Sequence, residues 1–155
     1  MARGMTGHDD EALDIVQDAM MRFANNYSGR PADQWKPLFF RILINRVRDW
    51  QRRRAVRARV MHWLRPGERD PIDQAPAPAG TGPLATAMAA EALEDLDVAI
   101  RRLPARQQQA FVLRCLEGFD VAATAGIMDC STGSVKTHYS RALSALRKML
   151  GEHGE

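Results

Sequence analysis

The stretch GFDVAATAGIMDCSTGSVKTHYSR, residues Gly118–Arg141, carries more architectural information than any other part of the chain. Its apolar spacing predicts two helices, Val121–Met128 and about Ser131–Leu150, with only Asp129 and Cys130 between them. So tight a connection between short helices is the pattern of a helix-turn-helix, whose second helix docks in the DNA major groove. Ala123, Ala125 and Gly126 are small enough to let the two helices cross closely. Val135, Tyr139, Leu143 and Leu146 form the inward stripe of the second helix, and Ser131 is a suitable N-cap. That leaves Thr132, Ser134, Lys136, Thr137, Ser140 and Arg141 on the outward side, where they can meet phosphates and base edges. The competing reading of the same residues is an ordinary solvated helix face.

Upstream of this stretch the pattern is also helical. A helix over about Ala105–Glu117 buries Phe111, Val112 and Cys115 and stops at Gly118. Before it, Leu93, Leu96 and Ile100 share one face of a helix from about Ala85 to Arg102, ended by Leu103 and Pro104. Pro66, Pro71, Pro76, Pro78 and Pro83, with Gly67, Gly80 and Gly82, mark residues 65–84 as a linker. Each proline ring removes a backbone donor and clashes with the preceding turn. The linker separates residues 1–64 from residues 85–150. In the first of these, Leu13, Val16, Met20 and Phe23 recur at helical spacing from about Asp10 to Asn25, with acidic residues at the favourable N-terminal end. A loop through Asn25, Asn26, Ser28, Gly29 and Pro31 follows. The next helix runs from about Gln34 to Val60, with Pro37 in its first turn and Phe39, Ile42, Leu43, Arg46 and Trp50 at spacings of three and four. No β-alternation occurs, so the fold class is all-α: two small helical domains joined by a Pro/Gly-rich linker.

Charge distribution matters more than the modest net +3. Between Arg41 and Arg65 there are nine arginines and one acid, Asp49, whereas Asp9–Asp18 holds five acids and no base. Arg46, Arg48, Arg52, Arg53, Arg54, Arg57 and Arg59 can offset phosphate charge, which gives salt-dependent affinity but little sequence information. Trp50 and Trp63 suit either an exposed stacking surface or core packing. Cys115 and Cys130 form no disulfide framework, and Cys130 with His138 is too small a set for a closed zinc site. Cys130 is better placed as a small apolar residue in the turn. No apolar run is long enough to span a membrane and no leader is recognisable, so the expected location is the cytoplasm. No nucleotide-binding loop or nucleophile–base arrangement is present, which argues against an enzyme, and no cofactor or metal is expected.

Several runs resemble extracytoplasmic-function RNA polymerase sigma factors. LPARQQQAF, Leu103–Phe111, together with the helix pair ending STGSVKT, Ser131–Thr137, is similar to their domain 4. DIVQDAMMR, Asp14–Arg22, resembles the domain 2 helix that grips the polymerase clamp, and LFFRILIN, Leu38–Asn45, resembles the promoter-melting helix. Met1–Thr6 resembles the last turns of a preceding helix, as though the family's usual start lay upstream. The resemblance implies that Asp14, Gln17, Asp18 and Arg22 contact the core enzyme. It also implies that Arg41, Asn45, Asp49, Trp50 and Arg53 line the minus-ten strand, and that the loop from Asn25 to Gln34 receives an unstacked base. For the minus-thirty-five element it points to Lys136, Thr137, Ser140 and Arg141, with His138 a weaker candidate. The implied partners are core RNA polymerase and promoter DNA, with an anti-sigma protein as a further one and no membrane insertion. Two other readings compete: a dimeric helix-turn-helix regulator, and a sigma-like decoy that binds polymerase or an anti-sigma protein without opening promoters.

Overall fold

The structure is a computed structural model that describes residues 1–64 and 84–151, the side chains of residues 84–86 excepted. The expected linker, apart from Leu84, lies outside the described residues. Among those described, every regular element is helical. Helix α1 spans Ala2–Thr6, α2 Asp9–Tyr27, α3 Trp35–Leu64, α4 Leu84–Arg102, α5 Ala105–Phe111, α6 Val121–Met128 and α7 Thr132–Gly151. A short 3-10 turn, Ala32–Gln34, leads into α3, and a wide π turn, Val112–Leu116, continues α5.

Local chemistry explains the boundaries. Gly7 ends α1 in the left-handed region (φ 75°) and its N–H donates to the Arg3 carbonyl at 2.8 Å. A Cβ there would lie 2.9 Å from the Arg101 guanidinium of α4, a flexible end that can shift, so it is the left-handed backbone that favours glycine. Asp9, Asp10 and Glu11 sit in the first turn of α2, where the exposed amides favour negative charge. The Asp120 carboxylate accepts from the Ala123 N–H at 2.7 Å and starts α6. Asp129 ends it in the left-handed region (φ 52°). Ser131 Oγ accepts from the Ser134 N–H at 3.1 Å, which is the N-cap expected for α7.

The buried residues form one cluster that takes Ile15, Leu43, Ile44 and Val47 from the N-terminal half and Ile100, Phe111, Leu113, Val135 and Leu146 from the C-terminal half. Helix α3 packs against α1, α2 and α6, so the halves touch directly. Phe40 meets Phe119 edge to face at 5.2 Å. Lys36 Nζ lies 4.8 Å from the Phe119 ring and donates to the Glu117 carbonyl at 3.4 Å. Gln51 Nε2 donates to Gln108 Oε1 at 3.0 Å, and the buried Gln108 donates in turn to the Ile100 carbonyl at 3.2 Å.

Several packing expectations are corrected. On α2 the buried residues are Ala12, Ile15 and Ala19, while Leu13 (57% exposed) and Met20 (58%) face outward. Both stripes have helical spacing, and the small alanines occupy the packed side because they permit a close approach of helices. Cys115 is exposed rather than buried, because the π turn changes the helical phase after Phe111. Leu93 is also exposed, whereas Ala99 and Ile100 near the end of α4 are buried. Asn25 and Asn26 belong to the last turn of α2 rather than to a loop.

Gly126 is not part of the helix crossing either. It is exposed, and a Cβ added there meets nothing within 4 Å; Thr124 and Ala125 are the small residues buried beside it. Gly126→Ala is therefore expected to raise stability by about 0.5–1 kcal/mol, since the glycine costs helix propensity without a packing return. A thermal melt that moved downward would show that this residue has a role in the turn.

Candidate nucleic-acid interface

Helix α7 is held by its inward side. Val135, Ala142 and Leu146 are buried, Tyr139 stacks on Phe111 at 6.4 Å, and Arg114 lies 5.6 Å from the Tyr139 ring. From α5, Arg106 donates to the Met128 carbonyl at 2.9 Å and so ties down the C-terminal end of α6. The opposite side of α7 is open: Thr132, Lys136, Thr137, Ser140 and Arg141 are all exposed. Ser134 is half-buried, and its amide and hydroxyl are both engaged by Ser131, so it completes the cap more than it faces outward. His138 is half-buried. The sequence reading missed Arg147 and Lys148. They lie seven residues beyond Ser140 and Arg141 and are exposed, so they extend the same basic side by two turns.

Helices α2 and α3 bring the other candidates together. A groove of about 400 Å³ is lined by Glu11, Asp14, Ile15, Asp18, Arg22, Arg46, Trp50 and Arg53. It thus joins three residues expected at the polymerase contact with two expected at the minus-ten strand. Asp14, Gln17 and Arg22 are exposed, but the Asp18 carboxylate is engaged by Arg22 at 3.1 Å and by Arg46 at 3.5 Å. Arg46 also pairs with Asp49 at 3.0 Å, which links α2, the groove floor and the next turn of α3. Arg41 and Asn45 are exposed on α3 outside the groove, with Arg41 4.0 Å from Asp129 of the C-terminal half. Trp50 is half-buried against the core and has the Arg54 guanidinium 5.3 Å from its ring, whereas Trp63 is 82% exposed and takes no part in the core. On α2, Met21 (66% exposed) joins Leu13 and Met20 in presenting apolar surface beside Gln17. Apolar residues at helical spacing carry no mark that separates a contact surface from a core, which is why the sequence reading placed Leu13 and Met20 inside.

The Arg46 bridge can be tested. Arg46→Ala is expected to cost about 1 kcal/mol, discounted for its partial exposure, and to cost less at high salt. Urea midpoints at low and high ionic strength measure this, and equal midpoints for both proteins would remove the bridge from the stability account.

Comparison with known proteins shows the family. The Sigma-70, region 4 family profile matches residues 93–146, from within α4 to within α7. The chain is 29% identical over 152 residues to the ECF RNA polymerase sigma factor EcfG of Rhodopseudomonas palustris, covering 96% of this chain and 76% of that protein. It is 30% identical over 155 residues to the ECF RNA polymerase sigma factor SigM of Mycobacterium tuberculosis, covering 97% of this chain and 70% of that protein. The chain belongs to the ECF RNA polymerase sigma factors. As a sigma factor it acts with RNA polymerase in transcription initiation, in a family of regulatory DNA-binding proteins. Its fold matches the sigma factor RpoE from Bartonella quintana, solved with the anti-sigma factor NepR, with a TM-score of 0.70 and 26% identity, covering 97% of this chain and 87% of that one. No described helix of this sigma factor is long and apolar enough to cross a membrane.

Proposed function

We propose that residues 1–64 act as sigma domain 2, which binds core polymerase and the minus-ten element, and that residues 85–150 act as sigma domain 4, a helix-turn-helix that reads the minus-thirty-five element. Residues 65–84 connect them. The carrying observation is the open polar side of α7, with Lys136, Thr137, Ser140 and Arg141 exposed on a helix whose other side is anchored in the core. Phosphates would be met by Lys136 and Arg141, and base edges by the shorter hydroxyl side chains near the helix start.

In domain 2, Asp14, Gln17, Asp18 and Arg22 contact the core enzyme, with Met21 as an apolar neighbour. Arg41, Asn45, Asp49, Trp50 and Arg53 line the melted strand. Melting draws on binding energy: stacking on an aromatic contributes about 1–3 kcal/mol per base, and no hydrolytic step is needed. The protein works in the cytoplasm without catalytic chemistry of its own, and an anti-sigma protein is a further partner, as it is for the Bartonella relative.

Purified chain mixed with core polymerase and a supercoiled promoter library should yield transcripts with promoter-specific start sites. Tight core binding with no transcript would indicate a decoy, and promoter-specific binding by a dimer without polymerase would indicate a regulator of another kind.

A further inference from the structure

The C-terminal part of α3 carries apolar side chains that neither the core nor the proposed promoter contacts use. Val56 is 54% exposed, Val60 51%, Trp63 82% and Leu64 63%. Val56, Val60 and Trp63 follow one another at spacings of four and three, so they form a seam along the helix. With about 3.6 residues per turn, that seam lies roughly opposite Leu43, Ile44 and Val47, the buried side of the same helix. It therefore faces away from the body of the protein. In heptad terms Val56 and Trp63 occupy d positions and Val60 an a position. The flanking positions are then Arg52 and Arg59 at g and Arg57 and Leu64 at e, all exposed.

This pattern selects its occupant. A second copy of the chain would set arginine against arginine across the seam in either orientation, so self-pairing is disfavoured. A lipid surface suits a broad, uncharged apolar face of about 100° or more, whereas here Arg53 and Arg57 fall within the arc that runs from Trp63 and Val60 round to Leu64 and Met61. Duplex DNA would satisfy the arginines and leave the valines and Trp63 without apolar partners. The chain's own residues 65–83 offer Ile72 as their only large apolar side chain among many prolines and glycines, a poor complement to three anchors. We propose that this seam docks an acidic amphipathic helix of a partner protein, with apolar residues at the partner's a and d positions and glutamate or aspartate at its e and g positions. The docking does not depend on the promoter function proposed above.

The test uses the full chain and a fluorescein-labelled helical peptide of three heptads, with Leu at a and d, Glu at e and g, and Ala elsewhere. Fluorescence anisotropy should show saturable binding. Val60→Asp with Trp63→Ser, both exposed positions, should weaken it at least about tenfold. Arg57→Glu with Arg59→Glu should weaken it likewise, and a peptide with Lys at e and g should not bind. Failure of the Glu peptide to bind, or equal binding by the variants or the Lys peptide, would overturn the proposal. So would co-sedimentation with phosphatidylglycerol vesicles, or concentration-dependent dimerisation in analytical ultracentrifugation, that was lost in the Val60→Asp/Trp63→Ser variant while the peptide failed to bind. Transcription assays play no part in the readout, so the outcome is separate from the fate of the sigma function.

Discussion

Replacing Lys136 and Arg141 together by glutamate is expected to reduce transcription from promoters that need the upstream element by on the order of a hundredfold, equivalent to about 3 kcal/mol. Both side chains are exposed on α7, on the side opposite the buried Val135, Ala142 and Leu146. The substitutions therefore leave the packed side of the helix unchanged. Their effect comes from exchanging two attractions to phosphate for two repulsions, and it includes the loss of counterion release on binding. The slope of affinity against salt should become shallower, by an amount set by the number of phosphate contacts removed. Holoenzyme affinity for a promoter fragment, measured across a salt series, checks both parts. Wild-type affinity with a wild-type salt slope would remove these residues from the upstream contact. Circular dichroism of the variant should match the parent, which separates lost recognition from lost folding.

Ile44→Ala is expected to destabilise the protein by about 2–5 kcal/mol, from lost transfer energy together with the cavity that incomplete relaxation leaves. Ile44 is completely buried, on a helix that packs against α1, α2 and α6. A domain of this size has a total stability of about 5–15 kcal/mol, so the loss is a large fraction of the whole. Because the core cluster draws on both halves, the unfolding midpoint reported by the fluorescence of Trp35, Trp50 and Trp63 in the N-terminal half and by overall helicity should fall together. A change below about 1 kcal/mol in urea denaturation would mean that the site collapses around the shorter side chain.

Much of the helical layout was legible because its signals are local. Leu103 and Pro104 after α4, the glycine at 118, the Ser131 cap and the acidic first turn of α2 act within a few residues of themselves, and each lies at or near the boundary expected from it. The outward residues of α7 were also legible, since burial of Val135 and Leu146 fixes the phase of the helix and leaves Lys136, Ser140 and Arg141 on the other side. The phase of α2 was not, because a stripe of alanines with one isoleucine and a stripe of larger apolar residues have the same period. Size favoured Leu13 and Met20, and only the approach of α3 shows that Ala12 and Ala19 are the packed residues. Cys115 was misplaced because a π turn has no local sequence mark.

The sequence by itself thus determined the all-α class, most of the helix ends, the polar side of the C-terminal helix and the resemblance to sigma factors, since caps, breakers, periodicity and motif order are written in neighbouring residues. Tertiary structure alone decided the contact of the two halves through Phe40, Phe119, Gln51 and Gln108, the convergence of Asp14, Asp18, Trp50 and Arg53 on one groove, and the outward seam of Val56, Val60 and Trp63. Those features depend on which helix faces approach each other across long stretches of chain. An apolar or charged side chain has the same local appearance whether it meets a neighbour or water.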